Sequence, residues 1–139
     1  MDEELGEILV VEDDPEINEL VGAFVESAGY RYRPALDGES ALGRVREHLP
    51  ALVLLDVMLP DINGFEVCKR IKGAPATQTV PIVFLTALDR AEYHDIGRRI
   101  GAADYLAKPF HPDRLLDAIR RHAVTRGNGN GKDAPAAVS

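Results

Sequence analysis

Glu12 and Asp13 follow the run EILVV, Asp56 follows ALVLL, Thr86 closes PIVFLT, and Lys108 follows DYLA. Short apolar runs bounded by turn residues read as strands buried on both faces. Three carboxylates brought to one place repel each other, and a divalent cation resolves the conflict. A few carboxylates with a backbone carbonyl and water suit Mg²⁺, which keeps several waters and often bridges to phosphate. A carboxylate can also attack a phosphoryl group and form an acyl phosphate. The transferring group then needs charge stabilisation. A lysine supplies part of it as a point charge, and a hydroxyl can hydrogen-bond a phosphoryl oxygen. Taken alone, Asp56 reads equally well as a helix cap or a turn residue.

The elements between these runs must bring them together. Asp14-Pro15 reads as N-cap and N1 of a first helix. Ile17, Leu20, Val21, Phe24, Val25 and Ala28 follow at helical spacing, and Gly29 is a natural stop. Residues 30–35 alternate aromatic residues with Arg and contain Pro34, as a half-exposed edge strand would. Asp37-Gly38 starts a second helix with Ala41, Leu42, Val45 and Leu49 inward. After the strand over 51–55, Asp61-Ile62-Asn63-Gly64 is a turn. Phe65, Val67, Cys68 and Ile71 then mark a third helix. Asp89 and Glu92 form a capping-box pattern for a fourth. That helix has few large apolar residues, mainly Tyr93, Ile96 and Ile100. It also carries Gly97, which costs about 1 kcal/mol relative to Ala in a helix interior. It is expected to be the least stable helix. A short strand over 104–107 precedes His111-Pro112, which opens the last helix, with Leu115, Leu116, Ile119 and Ala123 inward. Strict alternation of apolar strands with helices predicts an α/β fold: a doubly wound, five-stranded parallel sheet with helices on both faces. Right-handed crossovers put every strand's C-terminal end on one rim. The chemistry-bearing residues then share that rim.

The bulk numbers set limits. The 139 residues suit one domain, and a hydrophobic share of 45% with 28% charged residues is ordinary for a globular protein. A net charge of −7 argues against nucleic-acid binding by this chain. It agrees with an acidic site that takes a cation. The one cysteine, Cys68, cannot form an internal disulfide, which points to a reducing, cytoplasmic setting. No apolar stretch approaches the length of a membrane span. From residue 124 to 139 a Gly/Asn tract and an Ala-rich end read as a flexible linker or disordered tail. His48, His94, His111 and His122 have no metal-ligand spacing. They read as surface or capping residues, and Cys68 as core.

The pieces ILVVEDD (8–14), LVLLDVMLPDINGFEV (52–67), VFLTA (83–87) and DYLAKPF (104–110) resemble, in order and spacing, the receiver domain of two-component response regulators. The resemblance covers residues 7 to about 123, so 1–123 is expected to be the receiver domain. It implies a flavodoxin-like receiver fold with strand order 2-1-3-4-5 and five helices. It implies that Asp56 is the phosphoacceptor, and that Asp13 and Asp56 bind Mg²⁺ with the backbone carbonyl of Met58 and, through water, Glu12. Glu12 and Asp14 both flank Asp13. The strand register and the capping role of Asp14 favour Glu12. Lys108 is expected to pair with a phosphate oxygen, with Lys108-Pro109 a cis peptide aiming it at the site. Thr86 and Tyr105 are the implied switch residues, and the fourth helix with the following strand the moving part. The implied function is a phosphorylation-dependent switch fed by a histidine kinase or histidine phosphotransfer protein. It would be an enzyme only toward its own phosphorylation and dephosphorylation. Met58 and Leu88, bulky and apolar beside the site, are expected to slow self-dephosphorylation. Output through a downstream protein or an attached domain, and a phosphorylation-dependent homodimer, are further implications. The chain reads as a stand-alone receiver or the N-terminal piece of a longer regulator.

Each of these residues also has a plain reading. Thr86 could cap its own turn, Lys108 could be a solvated surface lysine, and Tyr105 could be packing. Their conjunction favours function. A flavodoxin-like nucleotide or flavin binder should have a Gly- or Ser/Thr-rich first loop to cradle phosphate. Here that loop is Glu12-Asp13-Asp14-Pro15. A Mg²⁺-dependent aspartyl phosphatase typically has a second Asp two residues after the nucleophile, and this chain has Met58 there.

Overall fold

The computed structural model describes residues 6–125 of the chain. The tail expected over 124–139 therefore lies almost wholly outside the described residues. The strands are β1 (Glu7–Val11), β2 (Arg31–Ala35), β3 (Leu52–Leu55), β4 (Ile82–Thr86) and β5 (Asp104–Ala107). The helices alternate with them as α1 (Pro15–Ser27), α2 (Gly38–Glu47), α3 (Gly64–Gly73), α4 (Ala91–Arg99) and α5 (Pro112–His122). All strand pairs are parallel, in the order β2-β1-β3-β4-β5.

The three central strands are buried at every position because both sheet faces are covered, and only Glu7 and Thr86 at their ends are polar. Side chains alternate between faces along a strand, and the core divides accordingly. Leu9, Val11, Val53, Leu55, Ile82 and Phe84 pack with Ala41, Leu42, Val45, Val67, Cys68 and Ile71 of α2 and α3. Ile8, Val10, Leu52, Leu54, Val83 and Leu85 pack with Val21, Val25, Leu115, Ala118 and Ile119 of α1 and α5. Fully burying each such Leu, Ile or Val contributes about 1.5–3 kcal/mol. The outer strand β2 is half exposed and carries Pro34, as an edge tolerates.

Helix starts follow the sequence where the capping side chain is local. Asp14 accepts from the backbone N–H groups of Glu16 and Ile17, Asp37 from Ser40, Asn63 from Glu66, and His111 Nδ1 from Asp113. Two expectations fail. The cap position of α4 is Arg90, with no side-chain hydrogen bond. Asp89 instead reaches His94, 2.9 Å away, so no capping box forms. Leu20, counted on the inward face of α1, is 55% exposed. The helix turns Asn18, Val21, Gly22 and Val25 inward instead. Of the four histidines, His122 is more buried than a surface reading allows and meets Asp104 at 3.2 Å.

The sole buried residue of α4 is Gly97, in line with the weak anchoring expected of it. At the pole opposite the functional rim, Val124 N–H donates to the Ala51 carbonyl at 3.0 Å. A β-carbon on Gly6 would lie 3.4 Å from that of Ala51.

Candidate functional site

Strand register brings the polar residues together. Val11 pairs with Leu55 and Leu55 with Phe84, so Glu12 and Asp56 leave adjacent strands at the same level. Thr86 pairs with Ala107, which puts Lys108 one residue past Thr86. The chain runs outward from β1 to β2 and then crosses back to β3. The crevice between β1 and β3 is therefore the topological switch point, where open parallel sheets bind ligands. Glu12 and Asp56 flank it.

Both carboxylates are withdrawn from solvent, with Glu12 5% and Asp56 6% exposed. Asp56 accepts from the backbone N–H of Met58 at 3.1 Å through Oδ1, and from Lys108 Nζ at 3.1 Å through Oδ2. Lys108 Nζ also donates to Glu12 Oε1, while Glu12 Oε2 accepts from the Asp14 N–H at 3.0 Å. One ammonium is thus shared by two carboxylates. Burial pushes the Glu12 carboxyl above its ordinary value, and Lys108 offsets this only in part. Burial alone would lower the Lys108 pKa, but the two carboxylates outweigh it and raise it. The Glu12 direction reports a poorly solvated crevice, and the Lys108 direction reports its two carboxylate neighbours.

The backbone around Asp56 leaves no slack. A β-carbon at Gly64 would lie 2.2 Å from the Asp56 carbonyl oxygen, and Gly64 N–H donates to the Val57 carbonyl at 2.7 Å. The start of α3 therefore lies directly on the chain that carries the nucleophile candidate. Asp61, in the same turn, caps α2 by accepting from the N–H groups of Gly38 and Glu39, each at 2.9 Å. Burial, the largest single effect, works to raise its carboxyl, but these and neighbouring backbone N–H groups together outweigh it and hold the carboxyl below its ordinary value.

Not every sequence candidate touches the centre. Asp13 is exposed on the rim, and its side chain has no hydrogen bond or ion pair among the described residues. Thr86 is fully buried, and its hydroxyl accepts from the Leu88 N–H at 3.3 Å rather than meeting Asp56. Tyr105 donates its hydroxyl to the Leu88 carbonyl at 2.6 Å, with its ring against Phe84 and His94. Burial, with the Asp89 and Asp56 carboxylates, pushes its phenol up to about 12. The Met58 side chain is 56% exposed beside the site. Lys108-Pro109 is cis. Among the described residues no three His, Cys, Asp or Glu side chains form a ready-made metal cluster.

Sequence reasoning missed Asn18. It is buried, and its Nδ2 lies 3.1 Å from the Val10 carbonyl, 3.0 Å from that of Glu12 and 3.2 Å from that of Ala35. A single polar residue on an amphipathic helix gives no local sign of such a role. Cys68 is buried with its thiol pushed up to about 12 by burial. Among the described residues no helix is long and apolar enough to cross a membrane.

Comparison with known proteins agrees with this fold. The chain is 39% identical over 113 residues to the DNA-binding dual master transcriptional regulator RpaA of Synechocystis, covering 81% of this chain and 47% of that protein. It is 42% identical over 120 residues to the DNA-binding response regulator MtrA of Mycolicibacterium smegmatis, covering 86% and 51%. The chain thus spans about half the length of the curated relatives it matches. Among solved structures, the beryllofluoride-activated receiver domain of Klebsiella pneumoniae RstA matches with a TM-score of 0.77 and 35% identity, covering 84% of this chain and 97% of that one. The chemotaxis protein CheY4 of Vibrio cholerae matches with a TM-score of 0.79 and 30% identity, covering 85% and 98%. Residues 8–120 match the response regulator receiver domain, and the chain belongs to that family of two-component signalling proteins.

Proposed function

We propose that the chain is a phosphorylation-dependent switch in which Asp56 is the phosphoacceptor. The observation that carries this reading is the Asp56 carboxylate itself, withdrawn from water at a strand end and held between Lys108 Nζ and the Met58 N–H. The donor is a phosphohistidine of a sensor kinase or histidine phosphotransfer protein. An Asp56 carboxylate oxygen forms the new P–O bond as the P–N bond to the donor imidazole breaks. The imidazole leaves with the electron pair of that bond and takes up a proton. Lys108 then turns its charge from the Asp56 carboxylate to a phosphoryl oxygen. The chain acts on no substrate but its own phosphoryl group.

The donor set suits Mg²⁺. Glu12, Asp13 and Asp56 offer hard oxygen donors, and Lys108 neutralises only one of their charges. Mg²⁺ needs one or two carboxylates and keeps its waters, so a ready-made cluster of three is not required. Asp13, Asp56 and the Met58 carbonyl would hold the ion directly and Glu12 through water. When bound, it supplies charge stabilisation for the transferring group. The Thr86 hydroxyl exchanges its Leu88 partner for a phosphoryl oxygen. Tyr105 follows, and α4 with β5 shifts. The altered face of α4, β5 and α5 engages a second copy, a downstream protein or an output domain in the cytoplasm. Met58 and Leu88 shield the acyl phosphate from water and lengthen its life.

Beryllofluoride with Mg²⁺ tests the reading. Stable binding is expected, with chemical-shift changes spreading through α4 and β5, all lost in Asp56→Asn. Binding that survives Asp56→Asn would overturn the assignment.

A further inference from the structure

We propose that Asn18 and Tyr32 are positioning residues for the metal-binding end of β1, with Gly22 providing the space that lets them meet; this rests on the Mg²⁺ reading above. Asn18 is 1% exposed. Its amide nitrogen faces the carbonyls of Val10, Glu12 and Ala35. Val10 lies in β1, Glu12 opens the acidic loop, and Ala35 ends the neighbouring strand. The Glu12 N–H also donates to the Ala35 carbonyl at 3.1 Å. The peptides on either side of Glu12 are thereby fixed, Val11–Glu12 from the β2 side and Glu12–Asp13 from the helix side.

An amide side chain can point its oxygen or its nitrogen at such carbonyls, and only the nitrogen can donate. The carbonyls therefore select the nitrogen, and Tyr32 holds the other end of the amide: its hydroxyl donates to Asn18 Oδ1 at 2.5 Å. Burial, with the nearby Glu19 and Glu26 carboxylates, raises the Tyr32 pKa and keeps that hydroxyl protonated. For its ring to reach Asn18 it must cross α1 at Gly22. A β-carbon there would lie 2.5 Å from the ring. The three residues form one device: a gap, a ring in the gap, and an amide held in place by that ring's hydroxyl. Groups that orient metal ligands from behind commonly change metal affinity by 10- to 100-fold when removed.

The test is Mg²⁺ affinity, by calorimetry and by the backbone amide shifts of residues 10–14, in the wild-type chain and in Tyr32→Phe, Asn18→Ala and Gly22→Ala. Tyr32→Phe keeps the ring and removes only the hydroxyl, so it is the variant that retains the fold most surely. Its dissociation constant is expected to rise about tenfold, with amide shifts concentrated at Glu12 and Asp13. Gly22→Ala, which displaces the ring, is expected to reproduce that loss with every polar group still present. Unchanged Mg²⁺ affinity in folded Tyr32→Phe and Gly22→Ala, even with lowered thermal stability, would overturn the proposal and leave the metal reading standing. A wild-type chain that takes up no Mg²⁺ would overturn both.

Discussion

The two halves of the functional rim are built differently. On the β1 and β3 side, the turns are tied to distant parts of the fold. Asn18 braces the end of β1, the α3 start lies against the Asp56 backbone, and Asp61 bolts the same turn to α2. On the β4 and β5 side, α4 starts without a side-chain cap and buries one glycine. The loop before it is held from Tyr105 and from the exposed Asp89–His94 pair. The difference teaches a division of labour. The half that holds the carboxylates must keep its geometry, while elements that move are drawn from the weakly held parts of a fold.

Gly64→Ala strikes the tight half hardest. Its new β-carbon would collide with backbone, which cannot yield as a side chain tip can. A loss of about 3 kcal/mol is expected in urea unfolding, together with weakened beryllofluoride binding. A neutral result would mean that the turn has room the geometry denies. Next comes a matched pair of cap removals. Asp61→Ala is expected to cost about 1 kcal/mol. Asp89→Ala, which caps nothing, should cost less than about 0.5 kcal/mol. Equal costs would erase the contrast between the halves. Because the folded Asp61 carboxyl is lowered from 3.8, its contribution is present above that pH and fades as pH falls through the lower folded value.

Glu12→Gln should have the smallest effect and the opposite sign. The folded Glu12 pKa is raised above 4.5, so at neutral pH its ionised form weighs against folding. Without Mg²⁺, the variant is expected to melt slightly above the wild type at pH 7. The gap should close as pH falls toward 4.5 and the wild-type carboxyl protonates. A variant that melts well below the wild type at pH 7 would show that the Lys108 pairing outweighs the burial.

Much of this was legible in the chain because it is local. Asp14-Pro15, Asp37 and His111-Pro112 start helices through bonds that span two or three residues. Apolar runs ending in Glu12, Asp56 and Lys108 disclosed the rim once the sheet was parallel. What escaped depends on tertiary rotation. Leu20 and Asn18 both lie on α1, and hydrophobicity alone turns Leu20 inward. The fold instead spends the inward face on Asn18, because three carbonyls at the ends of β1 and β2 require a donor. Asp61 escaped for a similar reason: its partners at Gly38 and Glu39 lie more than twenty residues back along the chain. The Asp89–Glu92 pattern misled because Arg90 takes the cap position and His94 claims the Asp89 carboxylate.

Ala51 lies beside both ends of the described fold: its carbonyl accepts from the Val124 N–H, and its side chain lies where a β-carbon on Gly6 would meet it. Entry and exit therefore lie side by side, at the pole farthest from Asp56. Adjacent termini are what make a domain tolerant of insertion and circular permutation. The fold is in this sense a cassette: a longer polypeptide could run in and out at one point without stretching the sheet or crossing the reactive rim. A short bridge joining residues 6 and 124, with new ends opened elsewhere, would leave the carboxylates where they are.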